Sequence, residues 1–308
     1  MEKSNEKKFS KCLFELLTSF REKNFLFVEP GGNCGDYLIY KGAYKLAASA
    51  GIDLKTVTHE KFMNGDYSPV DVVYIHGSGG FVPWWSGTPV IELKKALSEQ
   101  TGTIIVGPST FAVDFDFLLE NIINPLNESK NKNVYIFTRE MTSYLLLKGL
   151  LPANVQLLID HDTALNLELS DLVLSPVTKT FVGYFIRDDK EGEPSAPGVN
   201  AFFLDPGSYA TDFDQWVQLH ASAKKIVTNR LHSSILGSIL GKEVVLLPNS
   251  FHKNRSVWEF SLKKRSVVWK ESILCNGITG KILSYVFVGK FLSSYKVGKI
   301  IRKIKYGI

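Results

Sequence analysis

Cysteine is scarce: of three in 308 residues, Cys12, Cys34 and Cys275 lie far apart with no CxxC pair. That spacing argues against a zinc site or a disulfide framework and fits a reducing compartment, the cytoplasm. No apolar run reaches the roughly 18–20 residues a spanning helix needs. The N-terminal MEKSNEKKFSKCLFELL lacks a continuous apolar stretch followed by a small-residue cleavage site, so no secretory signal is read there. There is no internal repeat and no low-complexity tract. Acid is missing from residues 281–308, which carry six lysines and one arginine; the whole chain is +5, so the remainder stands at −2. The body therefore lacks the basic stripe expected of a nucleic-acid binder. The terminal segment, KILSYVFVGKFLSSYKVGKIIRKIKYGI, fits a basic amphipathic element on an anionic membrane surface, or a terminal helix with a solvated lysine face.

What is there is an ordinary globular composition, 44% hydrophobic and 22% charged. The length exceeds one hydrophobic core, so two domains and a cleft are expected. Short apolar runs alternate with polar or glycine loops and helix-like stretches. FLFVEP (25–30), VDVVYIHGSGG (70–80), GTIIVGPST (102–110), NVYIFTRE and VQLLIDHD read as strands, with YLIYKGAYKLAASAG, VIELKKALSEQ and MTSYLLLKGLL as helices between them. Gly51 is placed to end the first of these helices. DLVLSPVTK (171–179) resembles a linker, after which TFVGYFIRDD, KKIVTNR and KEVVLLPN restart the strands, with a polar insertion at KEGEPSAPG (190–198). This is an α/β pattern with parallel sheets. The boundaries expected are 1–175 and 176–280 for two Rossmann-like domains, with 281–308 as the basic C-terminal segment.

Ligands of parallel sheets sit beyond the carboxyl ends of strands. Four such ends carry chemistry here: PGGNCGD (30–36), HGSGGF (76–81), FIRDD (185–189) and TNRLHSS (228–234). No GxGxxG can be drawn through PGGNCGD, which disfavours a nicotinamide cofactor. Asn33 and Asp36 could touch a ligand or cap the helix that follows, and HGSGG could be a turn alone. Arg230 ends a strand and His232 lies in the first turn of an apolar, small-residue helix. An arginine fork and a helix N-terminus both suit a phosphate or carboxylate, against the plainer reading of a core histidine beside an ion pair. NSFHKN adds His252 and Lys253 after the next strand, or else a solvated loop. Of the three D-x-D runs, those at 114–116 and 212–214 read as helix caps. DHD at 160–162 follows a strand, where a metal or an interdomain polar cluster are the alternatives. PWW at 83–85 could stack on a sugar or pack as core.

PGGNCGDYLIYKGA (30–43), IHGSGGF (75–81) and TNRLHSSILGSILGKEVVLLPNSFHKN (228–254) together resemble the motifs of the polysaccharide pyruvyl transferase family. The resemblance covers most of residues 25–260, and R-L-H with the later H-K-N is its most specific part. It implies a GT-B-like fold of two Rossmann-like domains facing a cleft. It also implies transfer of the enolpyruvyl group of phosphoenolpyruvate onto two hydroxyls of a sugar in a bacterial surface polysaccharide or its lipid-linked precursor, giving a pyruvate ketal. By this resemblance Arg230 and His232 match the residues that hold phosphoenolpyruvate and Arg187 sits where the family places another donor-binding arginine, with Ser233, Lys253 and Asn254 on the same side; the chemistry itself needs a general acid and base, for which His232, His252 and Asp36 are the candidates. Asn33, Gly35, Ser78, Gly79 and Trp84 line the acceptor side. No metal or cofactor is required. The GSGGF turn followed by VPWW departs from the family's longer glycine run. A nucleotide-sugar glycosyltransferase on the same scaffold and a non-catalytic sugar- or anion-binding protein of capsule assembly are the alternatives.

Overall fold

A computed structural model describes residues 10–85, 87–99, 102–129, 133–176, 181–187, 189–191 and 204–271. The basic segment 281–308 and all but the first two residues of the 190–198 insertion lie outside these. The chain's contacts divide it into two compact units, Met1–Gly32 with Asp36–Leu167, and Asn33–Gly35 with Glu168–Ile308. The division falls after Leu167, and the start of the segment read as a linker is tied to the second unit: Ser175 and Gln218 exchange two hydrogen bonds of 3.1 and 3.2 Å.

The first unit is a six-stranded sheet of β1 (Phe25–Glu29), β2 (Thr56–Thr58), β3 (Val72–Ile75), β4 (Thr103–Ser109), β5 (Val134–Thr138) and β6 (Val155–Ile159). Every pair is parallel and the order is β2-β1-β3-β4-β5-β6. Neighbouring side chains of a strand point to opposite faces. Leu26, Val28, Val73, Ile75, Ile104, Val106 and Ile136 accordingly pack on one face, with Leu93, Ile122, Leu126 and Leu147 of the covering helices. Phe25, Phe27, Val72, Tyr74, Ile105 and Phe137 pack on the other, under Leu13, Leu17, Ala43, Leu46 and Ala47. With both faces covered, the central strands are continuous apolar runs, which is why their sequences do not alternate. The helix Cys34–Ser49 ends in a Schellman motif: Ile52 N–H donates to Ala47 O at 3.0 Å, Gly51 N–H to Ala48 O at 3.1 Å, and Gly51 has φ +79°.

The second unit is a four-stranded parallel sheet of β7 (Phe181–Phe185), β8 (Ala223–Thr228), β9 (Glu243–Leu246) and β10 (Val267–Trp269), in the order β10-β9-β8-β7. The helix Leu231–Ile239 lies directly on it. A Cβ on Gly237 would fall 2.7 Å from Val244 Cγ2 and 3.0 Å from Ile226 Cδ1, so the small residue sets how closely helix and sheet approach. That contact fixes the first turn of the helix over the ends of β8 and β9.

Candidate functional site

Parallel pairing of Phe185 with Thr228 puts the residues after β7 beside those after β8. Thr228 Oγ1 donates to Phe185 O at 2.5 Å and accepts from Arg230 N–H at 2.9 Å, while Arg187 N–H donates to Asn229 Oδ1 at 2.7 Å. The two backbones are thereby locked with both arginines at one edge. Arg187 grips Asp189 through two parallel bonds of 2.8 Å, from Nε and Nη2, and its Nη1 is bonded to Glu191. Arg230 Nε donates to Asp205 Oδ1 at 2.5 Å and its Nη2 bonds to Asp205 and, at 3.0 Å, to Asp189 Oδ2. Asp205 is itself held by Gly207 N–H at 2.9 Å. Lys253 closes the cluster on Glu191. Among the described residues, three cations thus meet three carboxylates in one network. Burial pushes the Asp189 carboxyl up, but the hydrogen bond and charge of Arg187, with Arg230, pull it down to about 2.

Of the other residues expected on the donor side, His232 is half-buried in the first turn of Leu231–Ile239, whose N-terminus directs backbone N–H groups to this same edge. Ser233 is fully buried and its hydroxyl has no hydrogen-bond partner. Asn254 is equally buried, but its amide donates to Asn229 O at 2.7 Å and Leu247 O at 3.0 Å. Its Nδ2 ties the chain after β8 to the chain after β9. His252 is half-buried at the N-cap of the helix Lys253–Val257. Asn33 caps the helix Cys34–Ser49, its Oδ1 accepting from Gly35 N–H at 2.8 Å. Gly35 groups by its contacts with the second unit, where a Cβ on it would lie 2.6 Å from His232 Nδ1.

In the first unit the strand order reverses between β1 and β3, the switch point at which such sheets bind ligands. Gly31 and Gly32 follow β1 with φ of +82° and +120°, and a Cβ on Gly32 would strike Asp36 Oδ2 at 2.2 Å. Glycine is therefore required there by both backbone and space. Asp36 is half-buried in the first helical turn. After β3, Ser78 Oγ accepts from Gly80 N–H at 3.0 Å and Ser78 N–H donates to Ser109 Oγ at 3.1 Å, so its hydroxyl shapes the turn. Gly79 and Trp84 are half-buried. Beneath this turn lies His76, which the sequence reading passed over. It is wholly buried, neither ring nitrogen has a hydrogen-bond partner among the described residues, and the rings of Tyr40, Tyr44, Tyr74 and Phe27 stand 4.5, 5.0, 5.3 and 5.8 Å away. Burial pulls it down to about 3, so it is neutral.

Glu92, also unmarked in the sequence reading, is wholly buried and meets His59 Nδ1 at 2.9 Å. Burial pushes Glu92 up to about 8 and pulls His59 down, so near neutrality the two form an uncharged hydrogen bond. An unfolded glutamate ionises near 4.3, so from there to about pH 8 the unfolded chain has released a proton that the folded one keeps. The contribution of Glu92 to stability must fall over that window. Glu92→Gln keeps a partner for His59 and removes the penalty. Thermal melts should show a gain over wild type that is near zero at pH 4 and grows to about 4–5 kcal/mol by pH 8; a gain independent of pH would refute the assignment.

The D-x-D runs are used internally. Asp114 caps Phe117 at 3.0 Å and Asp212 caps Gln215 at 2.8 Å, as the sequence suggested. Asp162 pairs with Arg139 Nη1 at 2.8 Å and caps Ala164 at 3.0 Å, while Asp160 accepts from Leu13 N–H at 2.8 Å. Among the described residues no helix is long and apolar enough to cross a membrane. The sequence reading found the cations at this edge and missed their anions, Asp189, Glu191 and Asp205. The available signal was the acid-rich RDDKEGE directly after β7.

A crystal structure of a functionally uncharacterised protein from Klebsiella pneumoniae subsp. pneumoniae NTUH-K2044 shares this fold, with a TM-score of 0.66 and 22% identity over 88% of this chain and 100% of that one. No curated protein sequence matches. The family model Polysaccharide pyruvyl transferase matches residues 33–250, a span running from the Asn33 cap, past the turn after β3 and the Arg230–His232 turn, to beyond β9. With that match over more than half its length, the chain belongs to the polysaccharide pyruvyl transferase family.

Proposed function

We propose that this protein transfers the enolpyruvyl group of phosphoenolpyruvate to two hydroxyls of a sugar in a bacterial surface polysaccharide or its lipid-linked precursor. Membership of the family supports a transferase acting on a sugar acceptor. The observation that carries the donor assignment is the convergence of Arg187, Arg230 and the N-terminus of Leu231–Ile239 at one sheet edge. Phosphoenolpyruvate offers a phosphate and a carboxylate, and two guanidinium forks with helix N–H groups are matched to such a dianionic ligand.

In the proposed reaction a proton is added to the methylene carbon of the donor and one sugar hydroxyl attacks the cationic carbon so formed, losing its own proton. Phosphate departs, and the second hydroxyl closes the ketal as its proton leaves. No metal or organic cofactor is called for, because the donor carries its own leaving group. His232, or His252 beyond the next strand, delivers the first proton or assists phosphate departure. Asp36 accepts a proton from the sugar, and the basic 281–308 segment holds the enzyme at the cytoplasmic face of the membrane that bears the acceptor.

Thermal melts with phosphoenolpyruvate, UDP-sugars and CMP-sugars test the donor. Phosphoenolpyruvate at a hundred times its Kd should add about 2.7 kcal/mol, and nucleotide sugars should add nothing. Stabilisation by a nucleotide sugar alone would replace this reading with a glycosyltransferase, and wild-type turnover in both His232→Ala and Asp36→Asn would remove the proton-transfer roles.

A further inference from the structure

Arg187 and Arg230 are bridged by one carboxylate. Asp189 takes both the Nε and the Nη2 of Arg187 at 2.8 Å and the Nη2 of Arg230 at 3.0 Å. Two parallel bonds to one guanidinium with a third to its neighbour is the pattern a ligand carboxylate or phosphate adopts between two arginines. The three acids of the cluster differ in burial. The side chains of Asp205 and Glu191 are each 2% exposed, whereas that of Asp189 is 26% exposed and is the one that water reaches. The buried two have duties that do not depend on a ligand. Asp205 holds Arg230 and the Gly207 amide, and Glu191 joins Arg187 to Lys253. Remove Asp189, and each arginine keeps a buried counter-ion while the Nε–Nη2 edge of Arg187 and a share of Arg230 Nη2 are released from its carboxylate. Among the described residues, the network then loses one of its three carboxylates.

We infer that Asp189 is an internal stand-in for the donor's anionic group: its carboxylate occupies the arginine edge that phosphoenolpyruvate takes, and the incoming ligand displaces it. The inference rests on the donor-site reading above and adds the residue that sets the affinity of that site for anions. An intramolecular carboxylate competes with every anion alike, so it raises the concentration at which phosphoenolpyruvate saturates and limits retention of the phosphate product. Its own hydrogen bonds also keep two arginines ordered in the empty protein, where bare like charges would repel each other.

The test is isothermal titration of the full chain with inorganic phosphate, and separately with phosphoenolpyruvate, in wild type, Asp189→Asn and Asp189→Ser at low ionic strength. Displacement predicts that the neutral variants bind inorganic phosphate about tenfold more tightly, the effect of one freed charge-assisted contact. A merely structural Asp189 predicts the opposite sign, because disordered arginines bind anions less well. Equal or weaker phosphate binding in the neutral variants overturns the inference, whatever phosphoenolpyruvate does. Tighter phosphate binding with phosphoenolpyruvate no better than phosphate upholds it while removing the donor reading. Having two neutral variants guards against one failing to fold, and restoring the charge as Asp189→Glu should return affinity toward wild type.

Discussion

Arg139→Met should destabilise the first unit by about 3–5 kcal/mol, the usual cost of removing one member of a buried ion pair. Arg139 and Asp162 follow β5 and β6, and both side chains are fully buried. Nη1 donates to Asp162 Oδ2 at 2.8 Å and Nε to Thr110 Oγ1 at 2.9 Å, so the arginine also joins the chain after β4. Methionine fills much of the volume but takes the guanidinium away from Asp162, which keeps the Ala164 amide at 3.0 Å. For a unit of this size the loss corresponds to roughly 10 °C in its melting temperature. Arg139→Met with Asp162→Asn should recover more than half of it, because asparagine keeps the Ala164 cap and buries no charge. A double variant as unstable as the single would show that shape, rather than the stranded charge, sets the cost. The consequence is local: Arg139 is a brace for three strand ends and not a candidate ligand for the donor.

The arginine that braces and the arginines at the β7–β8 edge look alike in sequence, which marks how far the sequence could be read. The strands β1 and β3 to β9 were legible because runs such as VVYI and TIIV are apolar at nearly every position, the signature of a sheet covered on both faces. β2 and β10 were missed: each is three residues long, at an edge, with one or two positions exposed, so neither leaves a periodic trace. The caps at Asp114 and Asp212 were legible because capping is settled within three residues. The acids at the β7–β8 edge were not. Arg230 and Asp189 are 41 residues apart, brought together by the pairing of β7 with β8, and Arg230 and Asp205 are 25 apart, brought together where Leu204 bridges Phe185 of β7. The hydrogen bonds of Asn254 were not legible for a related reason, since the carbonyls it meets follow β8 and β9. His76 and Glu92 carry no local sign of burial, as each becomes buried through packing on other elements.

Arg230→Lys should leave the second unit folded and lower kcat/KM for phosphoenolpyruvate by about 10²-fold or more, a loss of roughly 2.7 kcal/mol in the transition state. Lysine keeps the charge, but one ammonium on a flexible stem cannot meet both oxygens of Asp205 and reach Asp189 as the planar fork does. Arg230→Gln goes further. It takes the guanidinium away from Asp205, whose side chain is 2% exposed, and should cost about 3–5 kcal/mol of stability. The two effects separate in Arg230→Gln with Asp205→Asn. Neutralising the stranded acid should restore folding, since the oxygen of an asparagine side chain can still accept from the Gly207 amide that Asp205 holds at 2.9 Å. Activity should stay lost, because no fork remains at that position for the donor's phosphate or carboxylate. Recovery of turnover along with stability would make Arg230 a structural counter-ion alone and move the donor contact to Arg187. Continued loss of turnover in a folded protein would assign Arg230 to the donor, with Asp205 as the buried carboxylate that aims it.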